Sequence, residues 1–137
     1  MQRPDIVITR TDFERLLKVL EEHEADENQC AVELLDKELA RATVVPPSEM
    51  PPNVVTMNSR VRYIDRDMGE SRTVTLVYPT DAGSEASRLS VLAPVGCALL
   101  GLTVGQMIKW PLPDGRVRSF ELSEILYQPE AAGDARL

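Results

Sequence analysis

The sequence is short of the residues that most active-site chemistry needs. It holds one histidine, two cysteines, one tryptophan, three tyrosines and two phenylalanines in 137 residues. His23 lies on an acidic helical surface with neither a nucleophile nor a second ligand beside it, so it is read as a solvated side chain rather than a catalytic base. Cys30 and Cys97 are far apart, and no CxxC pair exists, which argues against both a zinc site and a disulfide framework. Positive charge is also scarce. Lys and Arg total 15 against 22 Asp and Glu, for a net charge of -7 and a pI near 4.7. Nucleic-acid binders carry a clustered basic face, so no direct nucleic-acid binding is expected. No apolar run approaches the roughly 20 residues of a membrane span, and Met1 to Asp5 lacks an apolar signal core, which points to a cytoplasmic protein without membrane contact. Gly96, Gly101 and Gly105 are spaced too irregularly for a dinucleotide loop, and no GxxxxGK[ST] is present, so no cofactor is expected.

What the chain does have is a sizeable apolar fraction, 43%, in a length that suits one ordinary domain plus an appendage. Ser90 to Trp110 is the centre of the organisation. Leu89-Ser90-Val91 is a short strand. Pro94 closes it and opens an almost wholly apolar helix through Val95, Ala98, Leu99 and Leu100, which Gly101 ends. Val104-Gly105 then turns into a strand at Met107 to Pro111. So short a strand–helix–strand unit favours an antiparallel sheet curling over one buried helix.

Ahead of this unit, Ile6 to Thr9 reads as a strand. Thr11-Asp12-Phe13-Glu14 fits a capping box, and Phe13, Leu16, Leu17 and Leu20 make one apolar stripe on a helix running to about Glu24. Glu24 to Asn28 is a polar bend. Val32, Leu35, Leu39 and Ala42 then follow the three-four spacing of a coiled-coil seam, which predicts an antiparallel helical hairpin. The proline-rich residues 47–52 mark a boundary, dividing the chain into 1–46 and 53–137. Beyond it the period becomes strand-like at Val54 to Met57, Arg60 to Ile64, Arg72 to Tyr78, Met107 to Pro111 and Val117 to Tyr127. Asp67 to Glu70 is a hairpin turn, Pro79 to Ser87 a polar loop, and Gln128 to Leu137 a surface extension. Tyr63, Tyr78, Trp110 and Phe120 are core or edge residues. The fold class is α+β.

One acidic cluster stands out: Glu24, Asp26 and Glu27 at the bend between the helices. Neighbouring carboxylates can hold Mg²⁺ or raise one another's pKa, yet adjacent charges on an exposed bend are most simply a solvated turn. No resident metal site is assigned.

The helical hairpin followed by Leu89-Ser90-Val91, Pro94-Val95-Gly96, Ala98-Leu99-Leu100-Gly101 and Glu124-Ile125-Leu126-Tyr127 resembles the bacterial Gre transcript-cleavage factors. The carboxyl part is similar to their FKBP-like domain. Met57-Asn58-Ser59-Arg60-Val61, Leu76-Val77-Tyr78-Pro79, Ala93-Pro94-Val95-Gly96 and Tyr127-Gln128-Pro129-Glu130 look more like a shorter branch, the regulators of nucleoside diphosphate kinase. The resemblance covers nearly the whole chain. It implies a protein that docks on RNA polymerase near the secondary channel, with the docking motif falling on Ser90, Leu92, Pro94 and Val95 and the hairpin tip at Glu24, Asp26 and Glu27. Leu92 and Ala93 depart from the Asn/Asp and Ser usual before that proline. Gre factors present tip acids to a second Mg²⁺ in the polymerase active site, and their hairpins are about twice as long as this one, whose first helix at 1.5 Å per residue spans only about 20 Å. The expectation is therefore a monomeric, non-enzymatic, polymerase-binding regulator that competes with the longer factors. The alternatives are regulation of nucleoside diphosphate kinase and weak cleavage assistance by the tip acids.

Overall fold

The computed structural model describes residues 6–22, 29–83, 87–111 and 115–133. β1 (Val7–Thr9) runs directly into α1 (Arg10–Glu22). The hydroxyl of Thr9 accepts from the Asp12 N–H at 3.1 Å. The cap is thus Thr9 rather than Thr11, and Asp12, buried at 2% exposure, turns inward. Including Asp12 rotates the buried face of α1: Leu16 and Val19 go to the core, while Leu17, expected on the apolar stripe, is 44% exposed. α2 (Gln29–Ala40) contacts α1 and sends Leu35 and Leu39 inward. It leads to β2 (Thr43–Val45), which pairs in parallel with β1 through Val7↔Thr43, Ile8↔Val44 and Thr9↔Val45. Both ends of the helix pair are thereby tied together. The proline-rich stretch forms a short 3-10 turn at Pro47–Glu49 and buries Met50.

The larger sheet contains β3 (Arg60–Asp65), β4 (Glu70–Val77), β5 (Arg88–Ser90), β6 (Met107–Pro111) and β7 (Val117–Tyr127), in the order β5-β4-β3-β7-β6. Three of its pairings are antiparallel, but β4 and β5 are parallel. The all-antiparallel expectation fails at this edge because Pro79 to Ser87, expected to be a polar loop without a pattern, contains α3 (Pro79–Ala82) and acts as the crossover that parallel strands need. α4 (Pro94–Leu99) then carries the chain from β5 at one edge to β6 at the other, so the sheet curls over it. Two glycines permit the close packing. A Cβ on Gly96 would stand 2.0 Å from the Ser90 carbonyl oxygen, and Gly101, at φ +81°, would place one 2.5 Å from the Ile6 Cβ.

Two further expectations are overturned. Val54 to Met57 is buried but is not a strand, retaining only an isolated bridge from Val54 to Thr103. Its backbone serves loops instead. Val55 exchanges bonds with Leu102 and Gly101 at 2.9 and 3.0 Å, and Asn58 at φ +67° ends the extended run. The start of the expected surface extension is anchored. Gln128, 3% exposed, donates through Nε2 to the carbonyls of Pro51 and Val54 at 2.8 and 2.7 Å, satisfying acceptors that no sheet neighbour reaches. α5 (Pro129–Ala132) follows. A single apolar cluster joins Ile6, Ile8, Leu16, Leu35 and Leu39 of the amino-terminal elements to Val55, Leu76, Leu99, Phe120 and Leu122.

Candidate functional site

The corner between β5 and α4 is built from its own backbone. The Val91 N–H donates to the Val77 carbonyl at 3.0 Å, and the Ala93 N–H to the Ser90 carbonyl at 2.9 Å. The Ser90 hydroxyl accepts from the Leu92 N–H at 3.1 Å. Pro94 occupies the first turn of α4, where a missing N–H costs nothing. Gly96 lets that turn lie against Ser90. The four residues of the anticipated docking motif therefore do come together, but they differ in access. Ser90 and Val95 are partly exposed, whereas Leu92 is 7% exposed and belongs to the core. Leu92 shapes the corner and offers little surface to a partner.

Val95 also lines a cleft of about 300 Å³ between α4 and the β3–β4 end of the sheet. Its floor is aromatic. Tyr63 and Phe120 meet edge to face with ring centres 5.9 Å apart and planes at 74°. Burial raises the pKa of the Tyr63 phenol, a shift that nearby Arg72 opposes. The rim is charged. Asp65 accepts from the Asp67 and Met68 N–H groups at 3.0 and 3.1 Å and pairs with Arg118 at 3.2 Å, while Glu70, Arg72 and the exposed Met68 complete the wall. An apolar floor inside a ring of both charge signs suits an apolar side chain delivered by a charged protein partner. The sequence expectation placed Tyr63 and Phe120 correctly in the core without recognising the cleft. The available signal was the alternation Val61, Tyr63, Asp65, which sets a carboxylate on the apolar face.

A second constellation lies where α1 meets the sheet. The Asp12 carboxylate accepts from the Met57 N–H at 3.1 Å and from the Tyr78 hydroxyl at 3.2 Å. Desolvation pushes its pKa up to about 6, against the lowering effect of the Met57 N–H and with a further raising contribution from Glu130. The Tyr78 phenol is driven well above its ordinary value by burial and by Asp12. Asp12 had gone unremarked as a site. Its position four residues before Leu16 and seven before Val19 was the clue.

Glu24, Asp26, Glu27 and His23 lie outside the described residues. Among the described residues, no group of His, Cys, Asp and Glu is arranged to hold a metal ion, and no helix is long and apolar enough to cross a membrane.

Residues 50–127 match the family model "Transcription elongation factor, GreA/GreB, C-term", and residues 4–45 match "Rnk N-terminus". The chain is 48% identical over 134 residues to "Regulator of nucleoside diphosphate kinase" of Escherichia coli strain K12, covering 98% of each. It is 34% identical to "Transcription elongation factor GreA" of Thermodesulfovibrio yellowstonii, over 79% of this chain and 70% of that one. The solved structure "Prokaryotic transcription elongation factor GreA/GreB from Nitrosomonas europaea" superimposes with a TM-score of 0.72 at 45% identity, covering 91% of this chain and all of that one.

Proposed function

Because the chain belongs to the GreA/GreB transcription elongation factor family, in the branch of the regulators of nucleoside diphosphate kinase, we propose that it is a non-catalytic regulator that docks on RNA polymerase near the secondary channel and competes with the longer Gre factors. In this reading it acts in the cytoplasm as a monomer, with residues 53–137 docking and residues 1–46 reaching toward the pore. The β5–α4 corner makes the contact. Ser90 and Val95 offer accessible surface, Pro94 opens the helix, Leu92 holds the corner in shape, and an apolar side chain of the polymerase enters the cleft beside Val95.

The observation that carries the non-catalytic part is the length of the helices. α1 has 13 residues and α2 has 12, so each spans about 20 Å or less at 1.5 Å per residue. Two-metal cleavage depends on placing a carboxylate within bonding distance of the ion. A hairpin about half the length of those in Gre factors leaves Glu24, Asp26 and Glu27 short of the catalytic metal. Occupying the channel entrance without supplying a ligand is competition.

The test is binding to purified core RNA polymerase by the intact protein and by Val95→Asp, followed by transcript cleavage on a stalled complex with and without a Gre factor. Binding that Val95→Asp abolishes, with no cleavage by the protein itself and inhibition of the Gre factor, is the expected result. Absence of micromolar binding would refute the docking, and cleavage by the intact protein would refute the length argument. The name of the Escherichia coli relative favours a second reading, regulation of nucleoside diphosphate kinase. Co-purification separates the two: polymerase subunits accompany the protein in the first case and the kinase in the second.

A further inference from the structure

The methionines divide sharply by exposure. Met50 and Met57 are buried, whereas Met68 and Met107 stand 56% and 58% exposed, and Met1 lies outside the described residues. The two exposed thioethers have different surroundings. Met107 alternates with the buried Ile108 and Trp110 along β6, so it stands on the face of the sheet away from the core. Met68 lines the cleft of about 300 Å³ together with Val95, Tyr63 and Phe120.

The backbone gives Met68 no freedom to withdraw. In the turn between β3 and β4, the Gly69 N–H donates to the Asp65 carbonyl at 2.7 Å, and the Asp65 carboxylate holds the Asp67 and Met68 N–H groups. The Asp67 carboxylate accepts from the Ser119 N–H of β7 at 2.7 Å, and the Arg66 N–H donates to the Ser119 carbonyl at 2.9 Å. Asp65, Asp67 and Gly69 thus supply the turn chemistry, and such a tip ordinarily carries polar residues and glycine. Nothing in the turn asks for a thioether at Met68. Beside the cleft, however, an unbranched and polarisable side chain makes an adaptable apolar wall for an incoming partner.

The same sulfur is open to oxidants. With hydrogen peroxide, a sulfur lone pair attacks one peroxide oxygen, the S–O bond forms as the O–O bond breaks, and the second oxygen departs with the proton of the first as water. The thioether loses two electrons and the peroxide gains them. The resulting sulfoxide is polar, so it stays solvated or pairs with the guanidinium of Arg72 or Arg118, which line the same cleft. Either way the apolar wall is lost, and an entering apolar side chain must strip water from the new oxygen.

We propose that Met68 is a redox-modification site, at which peroxide-class oxidants form the sulfoxide and thereby weaken docking at the cleft beside Val95. The inference rests on the polymerase-docking reading of that cleft and adds its regulation. A methionine sulfoxide reductase reverses the change: two thiols become a disulfide and the sulfoxide oxygen leaves as water.

The test treats the full chain with hydrogen peroxide, removes the oxidant, restores thiols with dithiothreitol and compares binding to purified core RNA polymerase before and after treatment. It is run on the parent, Met68→Leu and Met107→Leu, with peptide mass spectrometry reporting the sulfoxide at each methionine. Met68 and Met107 should oxidise together while Met50 and Met57 are spared. Affinity should fall about tenfold or more in the parent and in Met107→Leu, as burial of an unpaired polar group demands, and reductase treatment should restore it. Met68→Leu, whatever its starting affinity, should bind equally before and after treatment. Met68 left intact where Met107 is converted would overturn the accessibility of the site. Unchanged affinity of a protein carrying Met68 sulfoxide would overturn the regulation while leaving docking in place, and an equal loss in Met68→Leu would assign the effect to another residue. Untreated protein that fails to bind at micromolar concentration would instead refute the docking reading, and this inference with it. The melting temperature of the treated protein should match that of the untreated; a drop that tracks the lost affinity would overturn the local action of Met68.

Discussion

Replacing Asp12 with asparagine should stabilise the protein at neutral pH, although it removes a carboxylate that accepts hydrogen bonds from the Met57 N–H and from the Tyr78 and Thr9 side chains. The reason is the balance at the site. Burial raises the Asp12 pKa from 3.8 to about 6, and at 1.36 kcal/mol per unit this amounts to about 3 kcal/mol of disfavour for the ionised form in the folded state. The sign follows from linkage. Below pH 4 the group is protonated both folded and unfolded and contributes no difference. Between about pH 4 and 6 the unfolded chain releases the proton first, so stability falls as pH rises, and above the folded pKa the full penalty remains. Asparagine keeps the geometry: its oxygen accepts from the Met57 N–H, and its amide donates to the Tyr78 oxygen, whose hydroxyl can rotate. Urea denaturation of both proteins from pH 4.5 to 8 should therefore show a difference favouring Asp12→Asn that grows with pH, reaching about 1–3 kcal/mol at pH 8. Other carboxylates cancel in the comparison. A difference independent of pH, or an asparagine variant less stable at pH 8 than at pH 5 relative to the parent, would refute the claim that desolvation outweighs these hydrogen bonds.

Asp12→Ala should act in the opposite direction, because it strands the buried Met57 N–H; a loss of about 1–3 kcal/mol at pH 7 is expected from the same urea midpoints. Gly96→Ala forces a Cβ onto the Ser90 carbonyl, so α4 must move away from β5, and polymerase binding should fall together with the melting temperature in circular dichroism. Gln128→Ala leaves the Val54 carbonyl without its donor and the Pro51 carbonyl with only the Val54 N–H at 3.4 Å, and should cost about 1–3 kcal/mol in denaturant unfolding, while amide exchange near Val54 accelerates.

The legible parts of the fold were those with a strong local signal. The Pro94 start and Gly101 end of α4, the Asp67 to Glu70 turn and the long β7 follow from proline, glycine and period-two alternation, and all are present. The parts that escaped depend on distant partners. Val54 to Met57 has the composition of a strand, but its hydrogen bonds go to Gly101, Leu102 and the Asp12 carboxylate, choices set by tertiary packing. The parallel β4–β5 edge was hidden because α3 is a single turn begun by Pro79, too short to show helical periodicity. At the corner, the resemblance to the Gre factors suggested Ser90, Leu92, Pro94 and Val95 as a group. Only the fold separates the buried Leu92 from the accessible Val95, since adjacent apolar residues around a bend do not alternate predictably.

The shared core has a consequence for how competition would operate. Ile6 packs against Gly101 so closely that no Cβ fits there, and Asp12 is bonded to Met57 and Tyr78. The base of the helix pair is therefore fastened directly to the loop that follows α4, the helix whose first turn forms the proposed docking corner. If the proposed docking runs through Val95, it would fix the base of α1 and α2 as well, because the apolar cluster spans both. A loosely tethered hairpin would search a volume and occasionally reach beyond its mean position. A fastened one of about 20 Å is held at a set distance, so under the proposed docking its effect on the polymerase would follow from occupancy alone. Inhibition of a Gre factor should accordingly track the fraction of polymerase bound across a titration, without a residual cleavage activity at saturation. Residual cleavage that persists when every polymerase carries the protein would show that the helices move relative to the corner.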